Sequence, residues 1–478
     1  MNYSIIRYIL CWVLQIICGL MALPCVTAWI YGEQSGWAFA IVMVVGVVLG
    51  EIGKRIKPKN QVFYAREGFV TVALCWILIS IVGAIPFVLC GEIPSFVDAL
   101  FETISGFTTT GASILPEVES LSHCCLIWRS FTHWIGGMGV LVFLLTLIPA
   151  IGGYNMHLMR AESPGFSVEK FVPRITDSAR ILYGIYFVMT LAEIVLLAVA
   201  GMPLFDNLCM SFGSAGTGGF GILNDSAASY TMLQQSIITI FIILFGINFN
   251  VYYLFLVRRP KDALKCEEMR AYLLIIATAV TLIAINTRSY YGSWGDAFHH
   301  SAFQVGSIIT TTGYSTVDFN LWPQFSKTIL VLLMFCGACA GSTGGGMKVS
   351  RIVVLFKTIR NELRLSMHPR RVHLVRFEGR PLEKAVVHNI ERFFAAYILL
   401  FAASFLILSL ENLDFASCFT AVSATLNNIG PGLEAVGPMA NFGHLSVLSK
   451  FVLMFDMLAG RLEVFPMLVL LMPSTWKK

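Results

Sequence analysis

Charge is what this chain has least of. Asp, Glu, Lys and Arg together make up 13% of its 478 residues, against 56% apolar residues, and the mean hydropathy is +0.75. A soluble domain carries about a quarter charged residues, so this shortage excludes a soluble multi-domain protein and places the chain in a bilayer. A cysteine framework is missing too. The twelve Cys show no even, loop-based spacing and mostly fall inside apolar runs, and Cys336-Gly-Ala-Cys339 is read as two small core residues rather than a redox or metal motif. Nucleotide sites exist in letters only. Gly216 to Gly221 spells GxGxxG, but no strand precedes it and no βαβ unit surrounds it; in the stretch from Gly341, Met347 separates Gly346 from Lys348 and breaks the Gly-Lys pair a phosphate loop needs. His299 and His300, at the third short segment, are read as solvated or helix-end histidines rather than a metal site, since no full ligand set is evident around them. Asp456, Arg461 and Glu463 alone do not form the cluster of acids, bases and nucleophiles that an intramembrane enzyme requires, so no bond chemistry is expected.

Long apolar runs are what the chain does have. They lie at 5–29, 37–52, 69–89, 126–148, 181–199, 237–257, 272–287, 329–356, 393–410 and 447–471. About 20 helical residues cross the roughly 30 Å of hydrocarbon, so each run is read as one crossing. The first run carries Arg7 near its start, continues past Pro24 and lacks a small-residue cleavage site, so it is read as a retained span. With both termini in the cytoplasm, most Lys and Arg fall on that side, among them Lys54, Arg55, Lys57, Lys59, Arg258, Arg259, Lys261, Arg370, Arg371, Lys477 and Lys478. That bias fixes the expected orientation. The net charge of +5 is therefore a matter of topology and not of nucleic-acid binding. Outer loops carry acids such as Glu92, Glu117, Glu119, Asp225 and Asp318, which concentrate cations near an entrance.

A span, a half-length segment and a second span recur four times. The segments 98–107, 206–215, 297–309 and 415–426 are too short to cross and run into the turns TTTGAS, GTGGFG, TTTGYS and NNIGPG; Asp98, Asp206, Asp296 and Asp414 precede Gly111, Gly219, Gly313 and Gly430 by 13 to 17 residues. The expected fold is an all-α integral membrane protein. Two leading transmembrane helices (1–60) precede four pseudo-symmetric helix/pore-loop/helix repeats at 66–152, 178–258, 270–357 and 388–472 around a central ion pore. Irregular backbone survives at membrane depth only when buried in protein or lining water, so four such turns surround one aqueous path.

A path for a bare monovalent cation must replace its hydration shell, and inward-pointing backbone carbonyls do so. Gly supplies the backbone angles that aim them. The expected filter is Thr109, Thr110 and Gly111; Thr217, Gly218 and Gly219; Thr311, Thr312 and Gly313; and Asn428, Ile429 and Gly430. The short helices direct their negative C-terminal ends at the ion. The Gly-rich stretch Gly341, Gly344, Gly345, Gly346 with Lys348 breaks the eighth run and is read as a loop that occludes the path below the filter. Arg461, a charge inside the last run, is read as an electrostatic barrier. The competing reading is a secondary transporter of a small solute, sodium- or proton-coupled, which would show two inverted repeats instead of four parallel ones.

These turns, with Gly-Ser-Thr-Gly-Gly-Gly-Met-Lys at 341–348 and Ala-Gly-Arg-Leu-Glu at 459–463, resemble the Trk/Ktr/HKT superfamily of potassium uptake proteins over essentially the whole chain. The two extra leading spans resemble its TrkH/TrkG branch. The resemblance implies potassium as the transported ion, with the filter, the gate and the Arg461 barrier at the residues just named. It also implies a homodimer in lipid of the bacterial inner membrane, regulated by a cytoplasmic TrkA-type nucleotide-binding subunit, with no nucleotide on this chain. Gly216 and Gly221 depart from the pattern by making the second turn unusually Gly-rich.

Overall fold

The computed structural model describes residues 1–58, 64–139, 175–368 and 374–477. Apolar runs that no water can hydrogen-bond must satisfy their backbone internally, and helices dominate accordingly. The leading helices α1 (Tyr3–Leu20), α2 (Ala22–Tyr31) and α3 (Gly36–Arg55) lean on α4 (Ala65–Cys90) and α6 (His123–Gly137), with Tyr31 stacked on the His123 ring at 3.9 Å. Between α4 and α6 lies the short helix α5 (Phe96–Phe107). The long–short–long order then recurs. It is seen in α7 (Ile175–Val199), α8 (Leu204–Gly216) and α9 (Met232–Phe245), which is followed by α10 (Phe249–Leu256) and α11 (Pro260–Lys265). It returns in α12 (Glu267–Thr287), α13 (Trp294–Ile309) and α14 (Gln324–Cys336), which α15 (Val349–Met367) follows. The last set is α16 (Lys384–Leu408), α17 (Phe415–Leu426) and α18 (Val447–Arg461), with α19 (Phe465–Leu471) and α20 (Pro473–Trp476) closing the chain. The only strands among the described residues are Arg376–Phe377 and Arg380–Pro381, a hairpin whose Glu378 carboxylate caps α12 by accepting the Glu267 and Glu268 amides at 2.8 and 3.1 Å.

The four Asp residues have a local explanation. Asp98, Asp206 and Asp296 sit in the first turns of α5, α8 and α13, where a carboxylate offsets the positive helix end, whereas Asp414 is itself the N-cap of α17 and accepts the Ser417 amide at 2.9 Å.

The ten apolar runs do not give ten unbroken spans. Six stretches among the described residues are long and apolar enough to cross: Tyr3–Tyr31, Gly36–Arg55, Ala65–Cys90, Ala179–Val199, Glu267–Thr287 and Lys384–Glu411. The helix after each turn breaks instead. The helices α9 and α10 meet at 89° across 246–248; α14 ends before the 337–348 loop; α18 ends before Glu463 and Val464, both at positive φ. The fourth run ends its helix at Gly137, and its remainder from 140, with the end of the first repeat at 152, lies outside the described residues, as do Lys59, Arg370, Arg371 and Lys478.

Candidate functional site

The short helices all close in one way. At their ends Thr109, Thr217, Thr311 and Asn428 adopt left-handed backbone with φ of 55°, 53°, 61° and 57°. Each donates its N–H three residues back, to the Gly106, Ser214, Ile308 and Thr425 carbonyls at 3.1 to 3.2 Å. The next amide reaches five residues back, to Ser105, Gly213, Ser307 and Ala424 at 2.8 to 2.9 Å. This paired closure satisfies carbonyls that a helix end leaves orphaned. One residue further, Gly111, Gly219, Gly313 and Gly430 have φ of 78°, 74°, 89° and 95°. Positive φ on every second residue turns successive carbonyls toward one side. Sequence reasoning assigned that geometry to glycine alone; half of it falls on Thr and Asn, at roughly 1–2 kcal/mol of strain per residue that the closing bonds must offset. The Gly-rich second turn keeps the same register as the other three.

The glycines also show how the turns face one another. A Cβ on Gly111 would stand 1.9 Å from the Gly218 oxygen; on Gly219, 1.9 Å from Thr312 O; on Gly313, 2.1 Å from Ile429 O; and on Gly430, 2.8 Å from Thr110 O. Each turn meets the next in chain order, and the fourth meets the first. The predicted filter residues are therefore brought together as a closed ring of backbone, and only a residue without Cβ fits each seam.

Side chains brace this ring. The Thr108 and Thr110 hydroxyls lie 2.8 Å apart, as do those of Thr310 and Thr312. The Asn428 amide donates to Thr110 Oγ1 at 3.0 Å and to the Met457 carbonyl at 2.9 Å. Sequence reasoning missed the support behind the first two turns. Glu102 and Arg129 form a buried ion pair at 2.7 Å; Glu102 also accepts from Ser113 and Ile114, and Arg129 donates to the Gly221 carbonyl at 3.2 Å. His133 accepts the Phe220 amide on Nε2 at 3.2 Å, so its Nδ1–H donates to the Gly106 carbonyl at 2.8 Å. The available signal was one acid in a short helix and one base in an apolar run of a charge-poor chain.

The 341–348 stretch lies against the helix side of the ring. The Gly345 amide donates to Thr311 Oγ1 at 2.6 Å, and Cβ atoms on Gly344 and Gly345 would come within 2.9 Å of Thr310 O and 2.6 Å of Asn427 O. Gly341, Gly346 and Lys348 have φ of 73°, 74° and 73°, and Lys348 Nζ donates to the Gly344 carbonyl. Both ends of the loop are held. Buried Glu268 on α12 accepts the Ala340 amide at 2.6 Å and the Ser350 amide at 3.1 Å through the same oxygen, while Cys339 N–H bonds the Gly246 carbonyl and Phe249 N–H the Gly341 carbonyl, each at 3.0 Å. These last two bonds explain why the sixth apolar run bends where it does.

Arg461 ends α18 and donates to three carbonyls: Thr343 in the loop at 2.9 Å, and Gly136 and Gly137 at the end of α6 at 2.5 and 2.7 Å. Of the two acids near it in sequence, Asp456 accepts from Ser404 at 2.8 Å and Glu463 pairs with Arg351. His299 and His300 lie within α13, hydrogen-bonded to Gln235 at 2.8 Å and Thr316 at 3.0 Å.

With that geometry described, comparison with known proteins is informative. A family model described as TrkH, cation transport protein, matches residues 37–478. The Trk system potassium uptake protein TrkH of Salmonella typhimurium is 38% identical over 96% of each chain. The Trk system potassium uptake protein TrkG of Escherichia coli is 33% identical over the full length of both. The crystal structure of the potassium transporter TrkH from Vibrio parahaemolyticus superposes with a TM-score of 0.89 at 33% identity, covering 100% of both chains.

Proposed function

This chain belongs to the TrkH family of cation transport proteins, and from that premise we propose that it takes up potassium through the ring formed by its four glycine turns. The observation that carries the proposal is the closed order of contacts, Gly111 to Gly218, Gly219 to Thr312, Gly313 to Ile429 and Gly430 to Thr110. A single axis then runs through carbonyls that can stand in for water around a dehydrated cation. The potassium-binding residues are Thr109–Gly111, Thr217–Gly219, Thr311–Gly313 and Asn428–Gly430. The repeats 66–152, 178–258, 270–357 and 388–472 each supply one quarter of the ring.

The 341–348 loop is the gate. It lies between the ring and the cytoplasmic ends of the helices, and hydrogen bonds that hold it to Thr311, Glu268 and Arg461 must break for it to leave. Arg461 adds fixed positive charge on the same route. The relatives carry the names of transport proteins and not of enzymes, in keeping with a protein that makes and breaks no covalent bonds. We further propose a homodimer in the inner membrane with both termini cytoplasmic, opened by a TrkA-type nucleotide-binding subunit. The test is potassium or rubidium flux into proteoliposomes. Gly313→Ser, which places a side chain into the Ile429 carbonyl, abolishes selective flux; retention of both rate and selectivity would remove the filter assignment. Reversal potentials under opposed potassium, sodium and proton gradients identify the ion and any coupling.

A further inference from the structure

Away from the ion path, at the opposite end of α4 and α6 from the loop, three metal-ligating groups converge. Cys90 is the last residue of α4, Glu92 lies in the turn that follows, and Cys125 is in the first turn of α6. One ligand atom from each lies within 4.8 Å of the other two, and the Cys90 and Cys125 sulfurs are 3.9 Å apart as free thiols. We propose that Cys90, Cys125 and Glu92 bind a thiophilic divalent cation of the zinc class, a site with no role in the transport path.

Two observations carry this. The first is the sulfur separation: two thiolates bonded to one tetrahedral ion at about 2.3 Å stand roughly 3.8 Å apart, so the present spacing accepts the ion with almost no movement. A disulfide, at about 2.05 Å, would require the sulfurs to approach by nearly 2 Å. The second is the support around the acid. Ser122 holds Glu92 through its amide at 3.1 Å and its hydroxyl at 2.5 Å, one bond to each oxygen, which fixes the carboxylate and leaves each oxygen a lone pair for a metal. Two sulfurs and one oxygen select a borderline or soft ion over calcium or magnesium, and three protein ligands leave a position for water. A bound ion would tie the outer end of α4 to the start of α6.

The full-length chain, purified in detergent under a non-thiol reductant, is titrated with Co²⁺. One cobalt per chain with a thiolate-to-cobalt charge-transfer band, lost on adding equimolar Zn²⁺, is expected. Cys90→Ser and Cys125→Ser abolish the band; Ser122→Ala, which removes the hydroxyl bond to Glu92 and leaves the amide bond, weakens cobalt binding about tenfold; Cys75→Ser, at a buried thiol outside the cluster, leaves it intact. Absence of the band in the wild-type chain overturns the proposal, as does its persistence in both Ser variants. Should a variant fail to fold, zinc protection of Cys90 and Cys125 from maleimide in the wild-type chain answers the question without substitution. Equal labelling with and without zinc refutes the site. Recovery of a Cys90–Cys125 disulfide in a reduced sample that binds no cobalt does so too.

Discussion

The Gly345 amide donates to the Thr311 hydroxyl across 2.6 Å, so the loop beneath the ring is fastened directly to a residue of the ring. Both groups are buried, and a buried N–H that loses its acceptor costs about 1–3 kcal/mol. Thr311→Val keeps the shape and removes the acceptor. That bias against the closed loop is expected to raise partner-free potassium flux about tenfold, while Thr311→Ser leaves it near wild type. Proteoliposome flux with a potassium/sodium selectivity control measures both. Unchanged flux in the Val variant would mean that this bond does not hold the loop.

Gly111 and Gly201 separate strain from collision. Both have positive φ, 78° and 80°, but a Cβ on Gly111 meets the Gly218 oxygen at 1.9 Å while one on Gly201 meets nothing within 4 Å. Either Ala variant bears a backbone penalty of about 1–2 kcal/mol. Only Gly111→Ala is expected to lose flux, by about a hundredfold or more, because relief requires two turns of the ring to separate. Gly201→Ala should melt slightly earlier and transport normally. Equal flux in both would show that the seam is not part of the pathway.

How much of this was legible follows from what each residue type permits. Glycine at 111, 219, 313 and 430 announces itself, because positive φ narrows the choice of residue, and four turns in phase identify a ring before any coordinates. The left-handed Thr109, Thr217 and Thr311 do not, since β-branched residues disfavour that conformation and only the closing bonds of the helix ends make it tolerable. Arg461 stood out as an arginine inside an apolar run, with Asp456 and Glu463 as its apparent partners in sequence, yet its partners are backbone carbonyls that no sequence displays. Glu268 was hidden for the opposite reason: an acid at the start of a helix is ordinary, and only the fold brings Ala340 and Ser350 to it. The break after Phe245 carries just one Gly and one Asn, too little to distinguish from an unbroken span.

One Glu268 oxygen accepts two amides, one from each side of the 341–348 loop, and Glu268→Ala leaves both without partners. The expected result is a loss of stability of about 2–6 kcal/mol, summing two unsatisfied donors, together with potassium leak through the purified chain. Glu268→Gln retains an acceptor oxygen and should recover most of the stability. Thermal melts in detergent alongside flux distinguish the two; a stable, tight Ala variant would count against the clasp.

Asp414 supplies a pH-dependent term. Burial is the largest single influence and pushes its carboxyl up, but bonds from the Ser417 hydroxyl and from backbone amides together outweigh it and hold the group below its usual value. A carboxylate with a lowered folded pKa adds stability that is fully present above its unfolded pKa, about 3.9, and is lost as pH falls through the folded value. Asp414→Asn also caps a helix but does not titrate. The melting difference between wild type and this variant should therefore shrink from pH 6 towards pH 3; a constant difference would show that the cap does not titrate with folding.

Arg461 distinguishes a barrier from a brace. Its guanidinium reaches Thr343 on the loop and Gly136 and Gly137 on α6, a fork that the single ammonium of lysine cannot reproduce. If its charge opposes potassium, Arg461→Met raises flux about tenfold for each 1.4 kcal/mol of barrier removed, and Arg461→Lys, which keeps the charge, stays near wild type despite losing carbonyl contacts. If it serves mainly to hold the loop to α6, Lys and Met leak alike and both melt earlier. We expect the first pattern in rate with a smaller, shared drop in melting temperature, because the charge survives in Lys while the geometry survives in neither. Flux and melting measured on both variants decide it, and equal leak from the two would assign Arg461 to structure.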